Sequence, residues 1–114
     1  MIYLKDSIGQ RTLIINSINE LISTGKYIPF DINHEALMLL GFTNKVYSGE
    51  RSEYFMHDLG ITCFQVELGW RLIYHGAMLN RYFKYIHEIQ LAIYSLTEEY
   101  ILLEDDKKYI NNNL

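Results

Sequence analysis

The chain has 114 residues, of which 49% are hydrophobic and 21% are charged, and its formal net charge at pH 7 is −4. These values are typical of a folded globular protein and exclude the class of highly charged, weakly hydrophobic disordered chains. The acidic balance disfavours a role that depends on neutralising many phosphates, so we expect no direct DNA binding.

The sequence also indicates where the protein works. Its single cysteine, Cys63, cannot form an internal disulfide, and the first ten residues lack the pattern of a signal peptide. The longest apolar runs, such as Ala36 to Leu40, are far shorter than the roughly 20 residues that cross a bilayer. We therefore expect a cytoplasmic protein without a membrane partner.

Residues 1–30 allow two interpretations. Arg11 to Ile15 forms a β run, and a turn at Thr24-Gly25 precedes Lys26 to Phe30, which together predict a strand pair. Ser17 to Glu20 instead fits the capping box of a helix. That helix would be short, and short isolated helices are marginal, so we favour the strand pair.

Residues 33–42 have the pattern of a short capped helix. Asn33 can accept hydrogen bonds from the first free amides, and Gly41 predicts a left-handed exit. Phe42 would then cover Leu37, as in a Schellman ending. The narrow apolar face of this helix requires a flat partner, and we expect a sheet.

An antiparallel sheet is predicted for residues 45–75, because apolar and polar residues alternate there with the period of a strand. Gly69-Trp70 suits a type II′ turn, which would pair Ile61 to Leu68 with Arg71 to His75. Two further strands are expected before this hairpin. They are Glu53 to Asp58 and Val46-Tyr47.

A long helix is predicted over residues 79–97. Its apolar stripe recurs at steps of three and four residues and comprises Phe83, Ile86, Ile89, Ile93 and Leu96. Glu98 to Leu103 either continues this helix or begins a short extended piece. Residues 104–114 end in charges and asparagines, and we expect a frayed tail.

These elements predict one α+β domain over residues 1–114. An antiparallel sheet of three to five strands would follow the short helix, and the long C-terminal helix would pack on one face.

No catalytic or cofactor motif of any specificity occurs in the chain, so we expect neither an enzyme nor a bound cofactor. The four histidines are scattered without the spacing of zinc ligands, and no metal site is expected. Cys63 lies among apolar neighbours in an alternating strand, which is typical of a core residue rather than of a nucleophile.

Two groups of residues are candidates for binding a partner. By helical spacing, His87, Gln90 and Tyr94 share one face, where they either bind a partner or, as buried polar groups usually do, hydrogen-bond internally. A second group would form a small basic and aromatic patch that suits RNA or an acidic protein surface. It comprises Arg71, Arg81 and Lys84 beside Trp70 and Tyr74. A solvated helix face explains Arg81 and Lys84 equally well. The full candidate set is Tyr54, Trp70, Arg71, Tyr74, Arg81, Lys84, His87, Gln90 and Tyr94.

Two of the predicted helices also resemble sequence patterns of a known group of proteins. Residues 33–42 read N-H-E-A-L-M-L-L-G-F, and residues 85–97 read Y-I-H-E-I-Q-L-A-I-Y-S-L-T. They resemble the patterns P-L-T-E-E-W-L-L-K-L-G-F and Y-V-H-Q-L-Q-N-L-Y-F-A-L-T-G of small uncharacterised proteins from phages and prophages of the Bacteroidetes. The second stretch departs at Leu91, Ala92 and Glu98, which replace asparagine, leucine and the closing glycine. The missing glycine favours the alternative in which the helix continues past Thr97.

The resemblance implies a phage-type accessory protein, a class in which small proteins commonly bind and disable host machinery. The ten tyrosines are interpreted mainly as half-buried strand residues, with an interface as the alternative. We expect a non-enzymatic protein that binds a host protein or ribonucleoprotein, with inhibition of a CRISPR-type defence nuclease as one form.

Two alternatives stay open. One is a small-ligand or nucleotide-binding domain, enzymatic or not, with a pocket between the sheet and the face of His87, Gln90 and Tyr94. The other is a homo-oligomer that pairs an exposed strand edge with another copy.

Overall fold

The structure, a computed structural model, describes residues 1–6, 8–14, 25–47 and 52–113. Its class is α+β, as predicted, with antiparallel sheets of three and five strands. In chain order the elements are β1 (Ile2–Lys5), β2 (Arg11–Ile14), β3 (Ile28–Pro29), α1 (His34–Leu39), β4 (Thr43–Val46), β5 (Ser52–Met56), a 3₁₀ turn (His57–Leu59), β6 (Ile61–Val66), β7 (Gly69–Tyr74), β8 (Ala77–Met78), α2 (Ile86–Thr97) and α3 (Glu104–Asn113).

The chain divides into two compact units. The first unit comprises Met1–Asp31 and Tyr85–Leu114, and the second comprises Ile32–Lys84. The single domain over residues 1–114 stays a prediction. The alternative helix at Ser17 to Glu20 lies outside the described residues.

Strand β1 is the centre of the three-stranded sheet in the first unit. It pairs antiparallel with β2 on one side and with β3 on the other. The predicted pairing was therefore wrong, because β2 and β3 each pair with β1 and not with one another. Ile2, Tyr3 and Leu4 are all buried. A strand that is buried on both faces reads as a continuous apolar run without alternation, which is why the sequence did not reveal it.

Helix α2 begins at Ile86, and the prediction that it begins at residue 79 was wrong. The preceding Phe83 belongs to the second unit, where it exchanges two backbone hydrogen bonds of 2.8 and 2.7 Å with Trp70. Its apolar side chain fitted the helical stripe by spacing alone. The helix starts only where the backbone N–H of Tyr85 donates to Glu88 Oε1 at 2.8 Å.

Helix α2 ends at Thr97, which excludes the alternative that the helix continues through Glu98 to Leu103. Glu98 adopts the left-handed conformation with φ 61° and donates its N–H to Tyr94 O at 2.7 Å. The hydroxyl of Thr97 donates to Ile93 O and accepts from the N–H of Glu99. A glutamate thus takes the conformation that a glycine usually supplies at a helix end.

The C-terminal residues form helix α3 where the sequence predicted a frayed tail. Tyr3 in β1 anchors its start, because the tyrosine hydroxyl donates to Asp106 and accepts from the N–H of Leu103 at 3.0 Å. Between the two helices, residues 99–103 are neither helix nor strand. Side-chain contacts with a distant strand, which local propensity does not encode, hold this segment in place.

The second unit is a five-stranded meander in the order β4-β5-β6-β7-β8, together with α1. The predicted caps of α1 are confirmed. Asn33 Oδ1 accepts from Ala36 N at 2.8 Å, and Gly41 has φ 101°. Phe42 N donates to Leu37 O at 3.1 Å, which is the long hydrogen bond of a Schellman ending.

The β6–β7 hairpin was predicted in the right place but with the wrong turn. Val66 pairs with Gly69, so the loop is Glu67-Leu68, and Trp70 lies within β7. Gly69 has φ 144°, and a Cβ at this position would lie 3.0 Å from the backbone oxygen of Phe83. Glycine is therefore required here by a close backbone approach rather than by a turn.

The remaining strands differ from prediction mainly in their bounds. Strand β5 ends at Met56, before the 3₁₀ turn, and does not reach Asp58. Strand β4 occupies Thr43–Val46, directly after the helix, and not Val46-Tyr47. Among the described residues, no helix combines the length and the apolar character that crossing a bilayer requires.

Replacing Tyr3 with phenylalanine should lower the free energy of unfolding by about 1–2 kcal/mol, because Leu103 and Asp106 lose their hydrogen-bond partner. Urea unfolding of Tyr3→Phe and of Tyr82→Phe, whose tyrosine is 45% exposed, measures this difference. Equal losses in the two variants would show that the Tyr3 hydroxyl does not anchor α3.

The raised pKa of Tyr3 predicts how the free energy of unfolding depends on pH. Burial and the hydrogen bond with Asp106 raise the pKa of Tyr3 above its usual value. A raised folded-state pKa stabilises the protein below the unfolded pKa of about 10, and this stabilisation is lost as the pH rises above it. Unfolding free energies measured from pH 8 to 11 should therefore fall more steeply in the wild type than in Tyr3→Phe.

Replacing Glu98 with glycine should raise the free energy of unfolding by about 1 kcal/mol, because glycine avoids the Cβ strain of a left-handed residue. Glu99→Gly removes the same charge at a residue without positive φ and serves as the matched control. Thermal unfolding of both variants tests the expectation. An equal shift in both would assign the effect to charge and not to backbone strain.

Candidate functional site

Three of the nine candidate residues are buried. Tyr54 and Trp70 are 5% and 6% exposed, and Gln90 is fully buried. The Gln90 amide is occupied at both ends, since its Oε1 accepts from Tyr3 N at 2.8 Å and its Nε2 donates to Ile101 O at 3.0 Å. For Gln90, the internal hydrogen-bonding alternative is therefore confirmed.

Tyr54 is the centre of an aromatic row in the second unit. Its hydroxyl lies 2.8 Å from Nδ1 of His34, and its ring centroid lies 5.7 Å from those of both His34 and Trp70. Burial raises the pKa of Tyr54. These contacts give Tyr54 and Trp70 a packing role in this unit and leave them little surface to offer a partner.

The basic candidates all belong to the second unit, and two of them lie against aromatic rings. The guanidinium of Arg71 lies 4.8 Å from the centroid of Tyr82 and donates to Leu79 O at 3.0 Å. The guanidinium of Arg81 lies 4.4 Å from the centroid of Phe83. Arg71 thus holds the segment that follows β8 in place, which is a role that the sequence pattern did not predict.

Two of the remaining candidates are half-buried and one is exposed. Tyr74 is half-buried, and its ring centroid lies 4.2 Å from that of His75. His87 is half-buried beside Tyr85, with ring centroids 5.7 Å apart and an angle of 14° between the planes. Lys84 is exposed.

The charge of the chain is unevenly divided between the units. The second unit has five basic and five acidic residues, so the whole net charge of −4 falls in the first unit. The second unit therefore lacks the net positive charge that would attract a phosphate backbone.

An exposed aromatic surface lies on the outer side of α2. Leu91 is 40% exposed and Tyr94 is 37% exposed, although both are large apolar side chains. The ring of Tyr94 stacks on that of Tyr100, with centroids 4.0 Å apart and an angle of 6° between the planes. We call Leu91, Tyr94 and Tyr100 the tyrosine face.

The tyrosine face is preorganised and borders on negative charge. The parallel stacking of the two rings fixes their relative orientation, and the interaction with Tyr94 raises the pKa of Tyr100. Glu98 and Glu99 are exposed at the adjacent end of α2, and the last turn of this helix contains no basic residue. The negative end of the helix dipole therefore adds to these carboxylates and is not offset by a basic residue of that turn.

The sequence predicted part of this surface. Tyr94 was a candidate, but the shared face with His87 and Gln90 does not exist as one surface, because Gln90 points into the core. Leu91 and Tyr100 were missed. The signal for Leu91 was an apolar residue outside the core stripe, at the point where the resembled pattern has asparagine.

No group of three or more histidine, cysteine, aspartate or glutamate side chains that could hold a metal ion occurs among the described residues. Cys63 is fully buried on β6, opposite Tyr54 on one side and Leu72 on the other. Burial raises the pKa of its thiol to about 12.

Comparisons with protein-family models, with curated proteins and with solved structures found no match for this chain.

The Cys63 thiol should react with a disulfide reagent at least ~100-fold more slowly in the native protein than in denaturant at pH 8. The thiolate is the reactive species, and with a pKa of about 12 it is a very small fraction of the native thiol. Absorbance assays of thiol release measure both rates. Equal rates would show that Cys63 is accessible and would reopen its interpretation as a nucleophile.

Proposed function

We propose that this protein is a non-enzymatic binding protein that engages another macromolecule through the tyrosine face. The observation that carries the proposal is the stacking of exposed Tyr94 on half-buried Tyr100, beside exposed Leu91. Stacked tyrosines offer a large, rigid contact area at low cost in side-chain entropy, and aromatic residues are enriched at the centres of protein interfaces.

We further propose the biological setting that the resemblance implies. The protein would act in the cytoplasm of a Bacteroidetes host as a phage or prophage accessory factor. Its target would be a host protein or ribonucleoprotein, and a CRISPR-type defence nuclease is the specific candidate. The support for this setting is the partial resemblance of residues 33–42 and 85–97 to the two helical patterns.

Two observations weigh against the alternatives. A small-ligand site built on His87, Gln90 and Tyr94 loses its central amide, because both ends of Gln90 are occupied by backbone partners. Self-association through the edge strand β4 is opposed by Lys45, because a lysine on an edge strand discourages pairing with another copy.

Affinity capture from a Bacteroidetes host lysate tests the proposal. A carboxy-terminal tag leaves β1 undisturbed, and the eluate is analysed by mass spectrometry and for nucleic acid. The wild type should retain one partner in stoichiometric amount. The double variant Leu91→Ala/Tyr94→Ala should retain it at least ~10-fold less well, because truncating central interface residues costs more than 1 kcal/mol each.

The matched control is Met38→Ala/Leu39→Ala, which truncates two exposed apolar residues of α1 in the second unit. Thermal unfolding first establishes that both variants are folded. Capture that depends on Met38 and Leu39 but not on the tyrosine face would contradict the proposal, as would an empty wild-type eluate. Light scattering identifies the case in which the partner is a second copy.

A further inference from the structure

We infer that the partner of the tyrosine face is a basic protein surface, with an arginine guanidinium seated on the Tyr94–Tyr100 pair and paired with Glu98 or Glu99. This inference rests on the proposed function, because it specifies the chemistry of the partner at the same surface.

The first argument is charge complementarity. The unit that carries the tyrosine face has nine acidic and five basic residues, and two of its exposed carboxylates, Glu98 and Glu99, border the face. The end of α2 contributes its negative dipole at the same point. A cationic surface is attracted by Glu98, by Glu99 and by the negative end of the α2 dipole. An acidic or neutral surface would instead leave the two carboxylates desolvated and unpaired.

The second argument is the shape of the aromatic pair. A cation is attracted to the face of a tyrosine ring, and the planar guanidinium of arginine also stacks on it, which the compact ammonium of lysine does not do. This chain shows the same arrangement internally, with Arg71 over Tyr82 at 4.8 Å and Arg11 over Tyr3 at 5.5 Å.

The third argument separates a basic protein from a nucleic acid. A base could also stack on an exposed tyrosine, but single-strand binding surfaces combine such rings with positive charge along the backbone path. Here the residues beside the rings are Glu98 and Glu99, and the last turn of α2 has no basic residue. A phosphate would therefore meet carboxylates at the point where it needs cations.

Titration of the full-length protein with short peptides tests the inference. The probes are an oligo-arginine peptide, an oligo-lysine peptide of equal length and a single-stranded oligonucleotide, and NMR shifts of the tyrosine rings report binding. We expect the arginine peptide to bind several-fold more tightly than the lysine peptide and to shift Tyr94 and Tyr100. The oligonucleotide should leave both rings unchanged.

Charge-neutral variants locate the interaction. Glu98→Gln/Glu99→Gln should weaken arginine-peptide binding about fivefold or more, because it removes both carboxylates beside the rings. The control Glu35→Gln/Glu67→Gln makes the same change in net charge at two exposed residues of the second unit and should leave binding close to that of the wild type. Equal weakening in both pairs, or tighter binding of the oligonucleotide, would overturn the inference.

The same variants separate the inference from the proposed function when they are used with the captured partner. If Leu91→Ala/Tyr94→Ala loses the partner while Glu98→Gln/Glu99→Gln retains it, the binding function stands and the basic partner is rejected. If both double variants lose it, both proposals are supported. If both retain it, the binding function itself fails.

Discussion

The fully buried amide of Gln90 is the contact on which the first unit depends. It accepts from the backbone of Tyr3 in β1 and donates to the backbone of Ile101, so one side chain on α2 links the central strand to the segment before α3. Tyr3 extends the link through Leu103 and Asp106. Leaving one end of such an amide unpaired would cost the full desolvation of a buried polar group, which makes this arrangement highly specific.

The second unit is organised by backbone pairing around β7. Strand β8 pairs with β7, and further along the chain Phe83 forms a β-bridge with Trp70. Leu79 lies between β8 and Phe83, and its carbonyl accepts a hydrogen bond from Arg71. The close approach of Phe83 to Gly69 belongs to the same feature. The sequence suggested that Arg71 belongs to a basic surface patch. In the structure its guanidinium instead stabilises the irregular segment that follows β8.

Several local rules of helix stability are broken together at the end of α2. Glu98 holds a left-handed conformation that suits glycine, acidic residues stand at the negative end of the helix dipole, and large apolar side chains remain exposed on the outer face. Each feature opposes stability on its own. Residues that oppose stability locally are expected where a surface serves a function. Three such features occur together at the tyrosine face, which is why we propose this surface as the binding site.

The sequence by itself determined the α+β class, the capped helix from Asn33 to Gly41 and the pairing of β6 with β7, because caps, turns and two-residue alternation are local signals. Only the tertiary structure decided that β1 separates β2 from β3, that Phe83 belongs to a strand bridge and that α2 begins at Ile86. It also decided which members of the predicted helix face point outward. Spacing places Gln90 and Tyr94 one turn apart, but which of them meets the core depends on the position of β1, since burial is set by packing between segments distant in sequence.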